Sequence, residues 1–578
     1  MANTLSKARE QLKTAITNSI NKAIEGGQLI QAEIPEFIIE TPADRKNGDF
    51  ATNVAMVSAR AFRTAPVKIA NAISENLQLE DTLFEKCQVA GPGFINFFFS
   101  PNYYAQVLKE IETEKDNYGS SDFGKGEKVM VEFVSANPTG PMHMGNARGG
   151  ALGDCLASVL NKAGYSAWRE FYVNDAGNQI EKFACSLEAR YLQIYKDDIQ
   201  FPEDGYQGVD ITELAQEYAD ENGDVLVNAD SKTRKKALVD FALPKNIAKM
   251  QSDMAKYKIN YDKWFFESEL HNSGKVKEVV DLLTAKGLTY ENDGAIWYKN
   301  KEVCTEILLK EGKTQDYIDK LELKDDVLIR QNGNPTYFTA DIAYHKDKFD
   351  RGFETLIDVW GADHHGHVMR MKGAMNAIGY DGEKLQVVLM QLVKLVRGGE
   401  IVKMSKRTGK AIQLSDLLEE VPVDSARFLF NTREANTQMD FDLDIAVQQD
   451  NQNPVYYVQY AHARICSILK SLASDNIFPR SCTEEELMLL DKPEEKELIN
   501  HLAQFADEII LSAKEYDPTK ITRYVTQTAT LFHKFYNACR VKGEEESLMQ
   551  ARLSLCIAVK TVIKNVLDMF NITCPESM

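Results

Sequence analysis

Paired cysteines are missing from this chain. Its nine cysteines stand singly at positions 87, 155, 185, 304, 466, 482, 539, 556 and 574 with no Cys-x-x-Cys, which excludes a disulfide scaffold and a zinc ribbon and leaves them as buried thiols. Long apolar runs are missing too. None approaches the ~18 residues of a membrane span, and the start, MANTLSKAREQLKTAI, has no apolar signal core and reads as an amphipathic helix. These absences point to a cytoplasmic protein with no membrane attachment. Positive charge is in deficit: 67 Lys and Arg stand against 86 Asp and Glu, a net charge of −19. That balance counts against broad contact with phosphates, which draws on basic side chains to release counterions. The average hides an exception at 394–410, KLVRGGEIVKMSKRTGK, where six basic residues face one acidic residue and a locally positive surface can form.

No internal repeat or low-complexity linker divides the 578 residues, so the boundaries come from changes of pattern. A chain of this length predicts about three to five domains. Residues 1–115 open with a helix, pass a turn at Lys46-Asn47-Gly48-Asp49 and reach the apolar run Phe94-Ile95-Asn96-Phe97-Phe98-Phe99, which predicts a buried strand in a small α+β domain. Across 116–425, short β-branched runs alternate with helices, the pattern of a parallel sheet with crossover helices. Strands are predicted at 129–134, 355–360 and 387–393, and a helix at 147–164 with Gly164 suited to its C-cap. A stretch rich in Lys, Asp and Tyr at about 185–290 reads as an insertion. Past Val423 the pattern is almost wholly helical, which predicts a separate all-α bundle over 426–578.

Two segments carry candidate chemistry. Ser135-Ala136-Asn137-Pro138-Thr139-Gly140-Pro141-Met142-His143-Met144-Gly145-Asn146 lies between a strand and a helix, where unpaired backbone N–H groups and the helix dipole suit a nucleotide phosphate. By spacing alone it reads equally as a plain strand-to-helix turn. Lys403-Met404-Ser405-Lys406 places cations on a short loop after a strand, and mobile lysines can neutralise charge that builds on phosphate oxygens. By itself, such a loop is more often a solvated basic turn.

In this order, about 260 residues apart, the two segments resemble the paired His-x-Gly-His and Lys-Met-Ser-Lys motifs of class I aminoacyl-tRNA synthetases. The chain departs from the family pattern at one position, where Asn146 replaces the second histidine; asparagine can still donate a hydrogen bond but carries no charge. Further segments resemble the arginyl-tRNA synthetases. Asn47-Gly48-Asp49-Phe50-Ala51-Thr52-Asn53 and Gly91-Pro92-Gly93-Phe94 are similar to that family's N-terminal domain, which reads the D-loop of tRNA. Tyr172-Val173-Asn174-Asp175-Ala176-Gly177-Asn178-Gln179 is similar to a catalytic-domain motif. The segment Asn453-Pro454-Val455-Tyr456-Tyr457 onward, Phe535-Tyr536-Asn537 and the ending at Met578 are similar to the helical anticodon-binding domain. The resemblance implies a multidomain α/β protein: a Rossmann-like parallel-sheet catalytic domain with an insertion, an N-terminal α+β domain and a C-terminal helical bundle.

It also implies a substrate set of ATP with Mg2+, L-arginine and tRNA(Arg), a monomer, and no tightly bound metal. A guanidinium is planar, always charged and best held by carboxylates. By resemblance, Tyr337 and Asp341 fall on its side of the pocket, with Glu132, Ser135 and Asn137 toward the α-amino end and His143 and His364 nearby. The ATP site takes His143, Gly145, Asn146, Gly361, Asp363, Lys403, Met404, Ser405 and Lys406, of which His143, Asn146, Lys403 and Lys406 are the catalytic set. The tRNA contacts fall on Asn53, Tyr456, Tyr457, Tyr536 and Met578. Gly361-Ala362-Asp363-His364-His365-Gly366-His367 holds three of nine histidines, but adjacent histidines on one helix cannot all reach one ion. The residues leave open which of Asp363 and His364 meets the amino acid. The implied family needs bound tRNA to activate arginine efficiently. Two other readings stand beside this one: a non-catalytic tRNA-binding protein, suggested by Asn146, and an RNA-independent adenylylating enzyme.

Overall fold

The structure is a computed structural model that describes residues 3–42, 44–402 and 412–578. At the N-terminus, the helices Thr4–Glu25, Pro66–Asn76 and Pro101–Glu114 cover a four-stranded antiparallel sheet ordered Ile39–Glu40, Phe50–Thr52, Phe94–Phe99, Phe84–Ala90. The aromatic run is a strand as its composition predicts, and it supplies the domain core: Phe99 stacks on Tyr103 at 3.6 Å and meets Phe50 edge-on at 5.3 Å. The turn before it needs glycine. Gly48 has φ +90°, and a Cβ there would lie 2.6 Å from the Phe97 carbonyl oxygen. Asp49, next in the turn, accepts from the Phe99 N–H at 2.9 Å and from Asn500 Nδ2 at 2.8 Å, tying this domain to the helical one.

The central domain is built on five parallel strands ordered Leu385–Met390, Thr355–Gly361, Lys128–Glu132, Ser166–Val173, Lys263–Phe266. Successive connections run one way from Lys128–Glu132 and then the other, so the order reverses between Lys128–Glu132 and Thr355–Gly361. Helix Gly145–Lys162 follows the first strand, and Gly164, at φ +91°, lies just beyond its Ala163 cap as its sequence position suggests.

Three sequence expectations change here. The stretch expected as one insertion, about 185–290, divides: helices Gly177–Tyr195, Val209–Asn222 and Ser231–Lys256 pack around their own core of Phe183, Leu187, Tyr191, Leu214 and Leu238, but Lys263–Phe266 returns to the main sheet. Its strand is only four residues, too short for periodicity to separate it from its helical surroundings. A second excursion, the antiparallel sheet Thr289–Asn292, Ala295–Tyr298 and Asp326–Ile329, follows it. The run at 387–393 is not one strand. It breaks at Gln391 and resumes as Val393–Arg397, which pairs in parallel with Met439–Asp442, a strand inside the stretch expected to be helical. From Pro454 the chain is helical, with Pro454–Ser474, Thr519–Ala538 and Glu546–Met569 as the long members of the bundle.

Candidate active site

In an open parallel sheet the ligand crevice lies beyond the carboxyl ends of the strands, at the point where the order reverses. Here that point is lined by the segments following Glu132 and Gly361. The chain leaves Glu132 through two residues in the left-handed region, Val134 at φ +73° and Ser135 at φ +43°. A β-branched residue there is strained, by about 1–3 kcal/mol for such a conformation. What holds it is Ser135, whose Oγ donates to Glu132 Oε1 at 2.8 Å and accepts from the Tyr172 N–H at 3.1 Å.

Beneath this turn lies a closed set of buried charges. Lys348 Nζ, fully buried, donates to Glu132 Oε2 at 2.5 Å and to Asp358 Oδ1 at 2.8 Å, and sits 4.4 Å over the Tyr344 ring. His345 presents both ring nitrogens to oxygens, Asp358 Oδ2 at 2.7 Å and the Asp341 carbonyl at 2.8 Å. Burial pushes the Glu132 carboxyl up, against the pull of Lys348. Asp358 is equally buried, yet Lys348 and His345 outweigh desolvation and hold it down at about 2. Both oxygens of Glu132 are therefore engaged, and the residue is only 9% exposed.

Tyr337 and Asp341 stand on the first and second turns of helix Tyr337–Asp350, capped by Thr336. Asp341 is half-exposed and faces His367 Nε2 at 3.2 Å. A second carboxylate joins it that the sequence reading did not find. Glu267, buried, directly follows the strand Lys263–Phe266; its Oε2 accepts from the Tyr172 hydroxyl at 2.8 Å and its Oε1 faces His271 at 3.2 Å. Burial raises the Glu267 carboxyl, and the nearby Asp341 adds to the rise. Tyr172 is likewise raised by burial and then by Glu267 and Asp341, and Tyr337 by burial and then by Glu267. Glu267 and Tyr172 are thus bonded to each other, with Tyr337 and Asp341 on the helix packed beside them. The available signal is the short apolar run Lys263-Trp264-Phe265-Phe266 ending in Glu267, hidden because the surrounding stretch reads as an insertion.

His143 and Asn137 are exposed, Gly145 and Asn146 half-buried, at the N-terminal entry of the Gly145–Lys162 helix. The His143 N–H donates to Asn146 Oδ1 at 3.0 Å, so Asn146 also shapes the loop. Lys403, Met404, Ser405 and Lys406 lie outside the described residues. The segment that resumes after them is bound to the first motif: the Met144 N–H donates to the Ile412 carbonyl at 3.0 Å and the Leu414 N–H to that of Met142 at 2.9 Å. Gly361 ends its strand on the opposite side of the crevice; Asp363 and His364 follow, exposed and 3.6 Å apart. His364 faces Asp363 while His367 turns to Asp341, and among the described residues no group of three His, Cys, Asp or Glu is placed to hold a metal.

The candidate RNA contacts lie on other elements. Tyr456, Tyr457 and Tyr536 are half-buried on the facing helices Pro454–Ser474 and Thr519–Ala538: Tyr457 stands 5.2 Å from His533, and Arg464 lies 4.9 Å over Tyr536. A cleft of about 500 Å³ lined by Arg464, Tyr536, Arg540 and Lys542 opens beside them. Such a mixture of aromatic faces and cations suits unstacked bases and their phosphates. Met578 is exposed at the end of the chain. Asn53, in the N-terminal domain, accepts from the Ile38 N–H at 3.2 Å.

Comparison with known proteins covers the whole chain. Residues 10–99 match the arginyl tRNA synthetase N terminal domain, 107–466 the catalytic domain of class I (R) tRNA synthetases, and 458–578 the DALR anticodon binding domain. The arginine–tRNA ligases of Ruminiclostridium cellulolyticum and Acetivibrio thermocellus are 54% and 51% identical, each over 100% of both chains. The fold matches that of the Thermus thermophilus arginyl-tRNA synthetase with a TM-score of 0.72 over 98% of this chain and 100% of that one, at 21% identity.

Proposed function

This chain belongs to the arginyl-tRNA synthetase family, and from that membership we propose how its residues divide the work of an arginine–tRNA ligase. The reaction consumes ATP to activate L-arginine and passes the arginyl group to tRNA. The arginine carboxylate attacks the α-phosphate of ATP, forming arginyl-adenylate as the bond to pyrophosphate breaks; a hydroxyl of the terminal tRNA ribose then attacks the adenylate carbonyl and AMP leaves. No protein nucleophile is required, so the chain acts by positioning and by neutralising charge.

The reading is carried by the buried Glu267, which accepts from the Tyr172 hydroxyl at 2.8 Å, with Tyr337 and Asp341 on the neighbouring helix Tyr337–Asp350. A guanidinium offers five N–H donors in a plane, and a pair of acidic groups with phenolic acceptors matches them better than any neutral or single-charge side chain. The α-amino end of arginine then lies toward the strained turn at Ser135 and Asn137, with Glu132 holding that turn from below. The exposed His143 and the helix N-terminus at Gly145 and Asn146 face the phosphates of ATP, which enters as its Mg2+ complex. Gly361 and Asp363 border the adenosine, His364 the edge of the arginine pocket, and Lys403 and Lys406 meet the pyrophosphate. The helical domain reads the anticodon arm through Tyr456, Tyr457, Tyr536 and Met578, and the N-terminal domain contacts the tRNA elbow near Asn53. Domains at 1–115, 116–425 and 426–578, a monomeric state and a cytoplasmic location complete the proposal. The unpaired cysteines suit a reducing compartment, and among the described residues no helix is long and apolar enough to cross a membrane.

Arginine-dependent pyrophosphate exchange with ATP, run with and without cognate tRNA and repeated with lysine and glutamine, tests this. Exchange with arginine alone, and only when tRNA is present, is the expected outcome. Exchange with another amino acid would overturn the pocket, and no exchange by a chain that still binds tRNA would overturn the catalytic assignment.

A further inference from the structure

Arg148 lies on the motif helix, two residues past Asn146, and is 1% exposed. A buried arginine ordinarily faces a carboxylate; among the described residues none pairs with this one. Its terminal nitrogens face backbone carbonyls instead: Nη1 donates to Gln391 at 2.9 Å and Thr437 at 3.0 Å, and Nη2 to Glu434 at 2.8 Å with a long contact to Arg433 at 3.5 Å. Burial without a counter-charge pushes the guanidinium down to about 10, still cationic at neutral pH.

The carbonyls belong to two segments with a common purpose. Gln391 is where the strand Leu385–Met390 breaks before Val393–Arg397, the strand leading to the Lys403 motif. Residues 433–437 connect helix Val423–Phe430 to Met439–Asp442, the parallel neighbour of that second strand. The Gln391 N–H donates to the Ala435 carbonyl at 2.8 Å, so the turn and the connector also hold each other. Side-chain packing does little for the turn, since Leu392 is 81% exposed. Helix Thr519–Ala538 also touches this region, with Thr522 Oγ1 donating to the Asn431 carbonyl at 2.6 Å just before the connector and Arg523 meeting Glu434 within it at 3.1 Å.

We propose that Arg148 is a positioning residue for adenylate formation: its guanidinium fork fixes the break at Gln391 and the 433–437 connector against the helix that carries His143 and Asn146. The two halves of the catalytic apparatus enter from distant parts of the sequence, and this fork is a direct side-chain tie between the helix of one and the turn before the strand leading to the other. Lysine cannot replace it, because one ammonium cannot span carbonyls spread along two segments. The inference rests on placing ATP at the 143–146 loop; exchange by the unaltered protein tests that placement, whereas the ratio of variant to unaltered protein tests Arg148.

The experiment uses the full chain with tRNA, comparing Arg148→Gln and Arg148→Lys in arginine-dependent pyrophosphate exchange, with thermal melting to count folded molecules. Misplacement of reacting groups by an ångström costs about 100-fold, so kcat per folded molecule should fall by about that factor in Arg148→Gln and by less in Arg148→Lys. The KM for arginine should stay within about twofold, because its pocket is built on other elements. Should Arg148→Gln not fold, Arg148→Lys carries the same test. A variant that melts earlier with kcat per folded molecule unchanged, or whose loss falls entirely on the arginine KM, overturns the proposal.

Discussion

Replacing Glu267 by glutamine isolates the charge that the pocket offers to a guanidinium. The residue is buried, with its carboxylate held by Tyr172 and His271, and the substitution keeps shape and most hydrogen-bonding capacity while removing the charge. A hydrogen bond to a charged partner contributes about 1.5–3 kcal/mol. At about 1.4 kcal/mol per factor of ten, that is a rise of about 10- to 150-fold in the KM for arginine. The guanidinium lies at the far end of the substrate from the attacking carboxylate and keeps its charge throughout, so ground state and transition state lose the same interaction. The effect belongs in KM, with kcat nearly unchanged. Stability should move the other way. Burial raises the Glu267 carboxyl, so its contribution to the unliganded fold is full below the ordinary carboxylate range and is lost as pH rises through the folded value. Near neutral pH, Glu267→Gln should therefore melt no earlier than the unaltered protein. The assay is tRNA-supported pyrophosphate exchange over a range of arginine concentrations, beside a melting curve. An arginine KM within about twofold of the original, or a fall in kcat at constant KM, would refute the pocket as drawn.

Three further outcomes follow from the packing. Asp358→Asn should cost about 1–3 kcal/mol by leaving Lys348 with one carboxylate, read as faster hydrogen exchange in the strand Thr355–Gly361. Because Asp358 is held down at about 2, its contribution is full above the ordinary carboxylate value of about 4 and disappears as pH falls toward the folded value; a gap between variant and original that stays constant below pH 4 would count against the assignment. Arg427→Met removes bonds to the Phe570 carbonyl at 2.7 Å and the Tyr257 carbonyl at 3.0 Å and the ion pair with Asp154, and should destabilise by about 3 kcal/mol, with early exchange at the end of helix Glu546–Met569 as its sign. Gly153→Ala gains up to about 1 kcal/mol of helix propensity, yet a Cβ there would lie 2.2 Å from the Phe133 ring. A net loss of about 1–2 kcal/mol is expected from overpacking, and a raised melting temperature would show the contact to be harmless.

The motif loops were legible because their signals are local. A glycine-rich segment entering a helix, a cluster of lysines after a strand and an aromatic run bounded by turns keep their meaning wherever the chain takes them. The tyrosine and aspartate at 337 and 341 were placed by resemblance, and the helix that displays them is real. Glu267 was not legible, because nothing near it in sequence says that a four-residue strand returns to the main sheet. The break at Gln391 was missed for the same kind of reason: the run Val387-Val388-Leu389-Met390-Gln391-Leu392-Val393 has uniform β character, and what interrupts it is Ala435 and Arg148.

Periodicity in the sequence determined the multidomain α/β fold class, and the resemblance of its short motifs determined the family and its reaction. Tertiary structure decided which groups the acids meet and which charges are buried. It set Glu267 against Tyr172 and sank Glu132, Lys348 and Asp358 into one network. It also sent Arg148 across to the carbonyls of residues far along the chain. Those outcomes depend on strand order and register, which side-chain periodicity does not encode, because any strand of the same period satisfies the pattern until the whole sheet has closed around it.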